Sequence, residues 1–183
     1  MNIDGIKVID DFISPQVQEF VKNQLVATGM PWVFLDDVTY GATSTDIETR
    51  AGFQHIPFTD GTITSTAYWF LYPILLEACS KNNIVVKQLL RIRVGLYVNA
   101  NSEKPNHRHI DQHEPHLVGL YYVDDCDGDT VFYANDVSDE EILRCTPKRG
   151  RMILFNGSIY HASTPPVTKQ YRITVNFNFL CEE

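Results

Sequence analysis

Apolar residues recur along this chain with two different periods, and the change falls near residue 87. In the first part, "VIDDFISPQVQEFVKNQLVATG" starts as a strand-like piece and then turns helical. Val17, Phe20, Val21 and Leu25 are spaced to share one helical face. Ser14 is a good N-cap, Pro15 suits the first helical position, and Gly29 can end the helix. "PWVFLDDVTY" reads as extended, and residues 41–64, rich in Gly, Thr, Ser and Asp, read as loop with at most a short strand. "STAYWFLYPILLEACSKNN" predicts a second, apolar helix that Pro73 kinks or divides. From Lys87 onward the runs become short and β-rich: "VKQLLRIRVGLYV", "PHLVGLYYV", "DTVFYAN", "RMILFNG" and "YRITVNFNFL", separated by Gly, Pro, Asn and Asp. The fold class expected from this order is mainly β with N-terminal helices (α+β), the helices packed on one side of an antiparallel sandwich or jelly roll. One domain over 1–183 is expected, with 1–86 as a helical N-terminal support and 87–183 as the jelly-roll core.

Composition narrows this picture without changing it. A chain of 183 residues buries roughly 70% of its unfolded surface as one domain. A net charge of −8 repels phosphate backbones and anionic lipid, so nucleic acid and membrane are not expected partners. The short basic pieces "KQLLRIR" and "PKRGR" read as solvated strand ends. No apolar run approaches the ~20 residues needed to cross a bilayer, and "MNIDGIKVIDDF" lacks the basic start and apolar block of a signal peptide. A cytoplasmic protein is expected, and Cys79, Cys126, Cys145 and Cys181, without a CxxC pair, read as free thiols. Nothing in the sequence fixes an oligomeric state.

Candidate chemistry concentrates in "NHRHIDQHEPH", which holds four of the six histidines. Iron(II) used for oxygen chemistry is commonly held by two imidazoles and one carboxylate, leaving positions open. On a strand, residues i and i+2 point the same way, so His109-Ile110-Asp111 offers two ligands to one metal. A third must come from elsewhere in the fold, and the only histidine after the cluster is His161, in "GSIYHASTPP". A second reading overlaps the first. His107-x-His109 followed by Glu114, with His161 downstream, has the ligand order of a cupin, a metal-binding β-barrel that serves as enzyme or small-ligand binder. The glycines flanking that motif and the Pro-x-Gly before its last histidine are absent. His113 and His116 read as solvent-facing loop residues. Further on, "YRIT" sets Arg172 and Thr174 on one face of a strand, where a guanidinium and a hydroxyl can meet one oxyanion.

With these residues in hand, the sequence resembles the iron(II)- and 2-oxoglutarate-dependent dioxygenases, especially the small prolyl-4-hydroxylase-like members of bacteria and phages. Four features carry the resemblance, in the family's order over about residues 87–180: "HID", "YYVDDCDGDTVFY", "PKRGRMILFNGSIYH" and "RIT". The resemblance implies a double-stranded β-helix, or jelly roll, flanked by helices. It implies Fe(II) held by His109, Asp111 and His161, with 2-oxoglutarate as cosubstrate and O2 as oxidant. Arg172 would hold the far carboxylate of 2-oxoglutarate with Thr174 and Tyr122 beside it, and Tyr97 either touches cosubstrate or packs in the sheet. Lys169 is the alternative grip, because "TPPVT" carries an additional proline. His107 would contact the substrate or support the ligands. The implied reaction couples decarboxylation of 2-oxoglutarate, releasing succinate and CO2, to hydroxylation of a substrate C–H bond. The implied substrates are a protein or peptide, peptidyl proline first, or a small molecule; the implied compartment is the cytoplasm, that of an infected host if phage-encoded. Asp127-Gly128 departs from the family's double glycine, and the 99–106 loop is longer than expected. Neutral imidazoles are needed for ligation, so metal affinity is expected to fall below about pH 6.

Overall fold

The computed structural model describes residues 2–3, 5–38 and 50–182. Two short strands, β1 (Asn2–Ile3) and β2 (Ile6–Ile9), precede helix α1 (Pro15–Val26). Ser14 caps α1 by accepting from the Val17 amide, and Pro15 opens its first turn. The buried stripe of α1 is Gln18, Val21 and Leu25, whereas Val17 and Phe20 are exposed. Apolar spacing alone misplaced the centre of the face by about a sixth of a turn, with Val21 and Leu25 common to both. Gln18 takes the inward position because its amide can donate to the Ile13 carbonyl at 3.1 Å, while Phe20 packs edge-on against Phe70 at the rim.

Strand β3 (Val33–Leu35) falls in the segment read as extended, and β4 (Gly52–Thr59) and β5 (Thr62–Ile63) follow. The sequence reading of 41–64 as loop is corrected over this stretch: β4 is eight residues long and lies inside the sheet. Pro57 hid it, yet the strand accommodates the proline at a register shift between His55 and Phe58. The turn between β4 and β5 is "TDGT": Asp60 and Gly61 both have positive φ, 49° and 75°, as a two-residue hairpin turn requires. The part of that loop at 39–49 lies outside the described residues. Helix α2 (Tyr68–Ser80) runs through Pro73 without dividing.

The remaining strands are β6 (Val86–Val98), β7 (Leu117–Tyr122), β8 (Thr130–Tyr133), β9 (Glu141–Cys145), β10 (Met152–Asn156), β11 (His161–Ser163) and β12 (Tyr171–Cys181). They form a large antiparallel sheet ordered β1-β2-β10-β7-β12-β6-β4-β3, with β5 paired to β4, and a three-stranded sheet ordered β11-β8-β9. The segment expected as a helical support is therefore also sheet, since β2 extends one end of the large sheet and β3 and β4 the other. No helix among the described residues is long and apolar enough to cross a membrane.

Strand alternation sorts the large sheet into two faces. Ile173, Val175, Phe177 and Phe179 of β12 pack with Val21, Leu25, Leu71 and Leu75 of the helices. On the opposite face, Val118, Leu120 and Tyr122 of β7 and Ile153 and Phe155 of β10 meet Phe132 and Cys145 of the small sheet. The same face of β12 and β6 carries polar residues instead. Register pairs Arg172 with Tyr97, Thr174 with Gly95, Asn176 with Arg93 and Asn178 with Arg91. These residues floor the cleft between the two sheets.

Candidate active site

His109 and His161, far apart in sequence, become cross-strand neighbours through an isolated antiparallel bridge. The amide of His109 donates to the His161 carbonyl at 2.9 Å, and that of His161 to the His109 carbonyl at 3.0 Å. Their ring centroids stand 4.7 Å apart. Nδ1 of His109 lies 3.2 Å from the His107 carbonyl and Nδ1 of His161 lies 3.0 Å from the Ile159 carbonyl. A carbonyl only accepts, so each Nδ1 carries the proton and each Nε2 offers a lone pair. Asp111 reaches the same point although the chain there is not regular strand beyond the bridge residue. One ligand atom from each of His109, Asp111 and His161 lies within 4.8 Å of the other two, a group that could hold a metal ion.

The surroundings fix the charge states that metal binding needs. Asp111 Oδ2 accepts from the amides of Asn176 and Asn178 at 2.9 and 3.0 Å, and Oδ1 faces Arg91 at 3.3 Å. Burial would raise the Asp111 pKa, but His161, His109, Arg91 and the Asn176 hydrogen bond overcome it and hold the carboxyl well below its usual range. His109 keeps an exposed side toward the cleft, yet desolvation of the ring pushes its pKa down to about 4, with His161 adding to the shift and Asp111 opposing it. The ring of His109 is thus held neutral more firmly than a free imidazole. Outer partners of this kind orient ligands and tune their basicity.

A buried cationic corner adjoins the ligand group. Arg172, 2% exposed, donates from Nη2 to Thr130 Oγ1 at 2.7 Å. Its guanidinium carbon sits 5.3 Å from the Tyr97 ring centroid and 5.6 Å from that of Tyr122. Its Nε is buried without a hydrogen-bond partner. An unpaired buried donor on a cation is costly, and a bound carboxylate would satisfy it. Arg172, Thr174, Tyr97 and Thr130 line a narrow inner chamber together with His109, Asp111 and His161.

No family model matches the chain, and no curated protein aligns with it. Solved structures do match in fold. The prolyl hydroxylase from Trichoplax adhaerens, in complex with a hypoxia inducible factor oxygen degradation domain peptide, superposes with a TM-score of 0.66 at 18% identity, covering 97% of this chain and 84% of that one. A prolyl-4-hydroxylase from Pseudomonas putida gives 0.63 at 12% identity, covering 98% and 94%. HygX from Streptomyces hygroscopicus, with nickel, 2-oxoglutarate and hygromycin B bound, gives 0.61 at 12% identity, covering 96% and 82%. The fold is shared.

Not every residue singled out from the sequence reaches the cleft. Tyr122 is fully buried and does not line the chamber; its hydroxyl donates to Thr130 Oγ1 at 2.7 Å, so it stands behind the residues that do. Lys169 is exposed in the turn before β12 and lines neither cavity, while its carbonyl accepts from Asn99 at 3.1 Å. His107 lies outside the ligand group, in a separate cavity with Arg108, Tyr133 and Asp139, and meets the site through its carbonyl alone. Glu114 is exposed, so the cupin set of His107, His109, Glu114 and His161 does not assemble. His113 is exposed as expected, but His116 is not: it is 6% exposed, packed over Gly157, with Nδ1 2.8 Å from the Glu114 carbonyl.

Thr130, Asn176 and Asn178 went unremarked in the sequence, and the reading of "KQLLRIR" as a solvated strand end is corrected, since Arg91 and Arg93 line the cleft. The alternation in "RITVNFNF" was the available signal for the two asparagines, since every second residue is polar in a strand whose other face is apolar. The two motif departures also acquire roles. Asp127 accepts from the amides of Thr168 and Val167 at 2.6 and 3.3 Å and so fastens the loop leading into β12. Gly128 beside it permits close approach, since a Cβ there would lie 2.8 Å from the Thr164 carbonyl oxygen. The 99–106 loop is pinned by Arg50, which donates to the Lys104 carbonyl, Asn106 Oδ1 and Ser102 Oγ at 2.5, 2.9 and 3.1 Å.

Proposed function

We propose that this chain is a non-haem iron(II), 2-oxoglutarate-dependent dioxygenase, a single catalytic domain on a double-stranded β-helix that hydroxylates a C–H bond of its substrate. The observation carrying this reading is one cleft that holds both a His-Asp-His group and, beside it, a buried arginine with an unused donor. His109, Asp111 and His161 would hold the metal. Arg172, with Thr174, Tyr97 and Thr130 around it, would hold the far carboxylate of 2-oxoglutarate. The donor set fits: two neutral imidazoles and one carboxylate suit a hard or borderline divalent ion and leave it coordinatively open. Bound together, iron(II), 2-oxoglutarate and O2 supply the oxidising chemistry, with release of succinate and CO2.

The chain's own contribution is placement. The His107 and Ile159 carbonyls hold the two ring protons away from the metal position. Asn176, Asn178 and Arg91 keep Asp111 ionised and aimed. Thr130 ties Arg172 to Tyr122 and so fixes the grip before cosubstrate arrives. No side chain is required as general acid or base. Peptidyl proline is the first substrate to test, given the prolyl hydroxylases among the fold relatives, with small molecules second, given the hygromycin B complex. Release of succinate from 2-oxoglutarate should require both iron(II) and oxygen and should disappear in His161→Ala. Succinate release that persists in folded His161→Ala protein, or that needs no iron, would contradict the reading.

A further inference from the structure

Beside the inner chamber, and sharing Arg93, His109 and Asp111 with it, lies a cavity of about 370 Å3, within the size range of small-molecule sites. Its walls divide by chemistry: Leu35, Val38, Ile56 and Ile110 supply hydrocarbon, whereas Arg91 and Arg93 bring two guanidinium groups. Asp111 is the acidic residue lining it among the described residues, and both its oxygens are engaged. Arg91 is engaged too, through Nη2 on Asp111 and Nε on Asn178 Oδ1 at 2.9 Å. Arg93 is not neutralised in this way. Its Nε donates to a neutral amide, Gln54 Oε1, at 2.9 Å, and it forms no ion pair with a described carboxylate. In a protein of net charge −8, the cleft is locally positive before any metal enters.

Register separates Arg93 from the Arg172 corner. Arg93 lies opposite Asn176, whose amide holds Asp111, so it stands level with the ligand group. Arg172 lies opposite Tyr97, four residues further along β6, or roughly 13 Å at ordinary strand rise. The two side chains therefore start from opposite ends of the inner chamber that both line, Arg172 beside Tyr97 and Arg93 beside the ligand group.

We propose that Arg93 is a specificity-determining residue: it grips a carboxylate of the substrate, whose hydrocarbon body lies along Leu35, Val38 and Ile56. The reaction at that substrate rests on the oxygenase reading above, but the binding does not need the metal. A free organic acid and an acidic residue within a peptide present the same group, and they are separated by two arms of one experiment. The first arm compares N-acetyl-leucine with N-acetyl-leucinamide. The second compares a capped pentapeptide carrying Glu between two leucines with its Gln counterpart. Binding is measured calorimetrically to metal-free protein and to protein loaded with nickel(II) and 2-oxoglutarate.

The acid should bind at least about tenfold more tightly than its amide in one arm, which names the source. Arg93→Gln should erase that preference and Arg93→Lys should retain part of it, with 2-oxoglutarate affinity little changed in both. The lysine variant also covers the case in which the glutamine variant does not fold. Acid and amide binding alike, or neither binding, in both arms would overturn the proposal. So would an Arg93→Gln protein that loses 2-oxoglutarate as strongly as the acid. If nickel(II) and 2-oxoglutarate fail to bind while the metal-free protein still prefers the acid, the oxygenase reading falls and the Arg93 site stands.

Discussion

The two faces of β12 are built from alternate residues of one short stretch, and both are buried. Toward the helices stand Ile173, Val175, Phe177 and Phe179, each 4% exposed or less. Toward the cleft stand Arg172, Thr174 and Asn178, which are just as deeply buried, with Asn176 between them. The apolar face is complete in itself, since hydrocarbon needs only neighbours. The polar face is not. Asn176 and Asn178 find an acceptor in Asp111, but Arg172 Nε finds none. A fold that tolerates this must gain from it elsewhere, and a bound anion beside a metal is the gain proposed here.

The contrast can be broken most forcefully from the apolar side. Phe177→Ala should lower unfolding free energy by about 3–5 kcal/mol, measured in urea, while molecules that remain folded bind nickel(II) with unchanged affinity. On the polar face the pattern should invert. Arg172→Ala should weaken 2-oxoglutarate by about 1.5–3 kcal/mol, roughly 10- to 150-fold, with metal affinity little changed. Equal loss of both ligands would mean that Arg172 serves the fold and not the anion. Thr130→Val removes the acceptor shared by Tyr122 and Arg172 and should cost about 1–3 kcal/mol of stability. It should also weaken 2-oxoglutarate, by less than Arg172→Ala does; a cost in stability alone would place Thr130 with the core.

The remaining test is pH-dependent. His109 has its pKa lowered from 6.5 to about 4 in the fold, so between those values the unfolded chain holds a proton that the folded chain does not. Stability of the metal-free protein should therefore decline as pH falls from about 6.5 to about 4, and this group's share of the decline is complete below that. His109→Asn should flatten that limb in a series of urea midpoints. An unchanged slope would show that the ring is not held neutral.

Much of this was readable from the sequence, for definite physical reasons. The α1 cap, the long strands and the His109-x-Asp111 pair are local patterns, set by neighbours a few residues away. The inward face of α1 was not readable, because a buried glutamine with a backbone partner looks polar in a hydropathy pattern. Strand β4 was hidden by Pro57, which only a bulge makes acceptable. Tyr122 was assigned to the ligand and serves its neighbour Thr130, because contact order within the cleft depends on which strand of the small sheet lies between them. Arg93 was read as part of a solvated strand end for a related reason: its meaning lies in the absence of a described carboxylate paired with it, which no linear spacing records.

The central claim is that one metal and one 2-oxoglutarate meet in this cleft. An anaerobic titration tests it directly, adding 2-oxoglutarate to iron(II)-loaded protein and following visible absorption. The account predicts a weak charge-transfer band that saturates at one 2-oxoglutarate per chain and is lost in Asp111→Ala. Folded protein that binds iron(II) but develops no band with 2-oxoglutarate would contradict it.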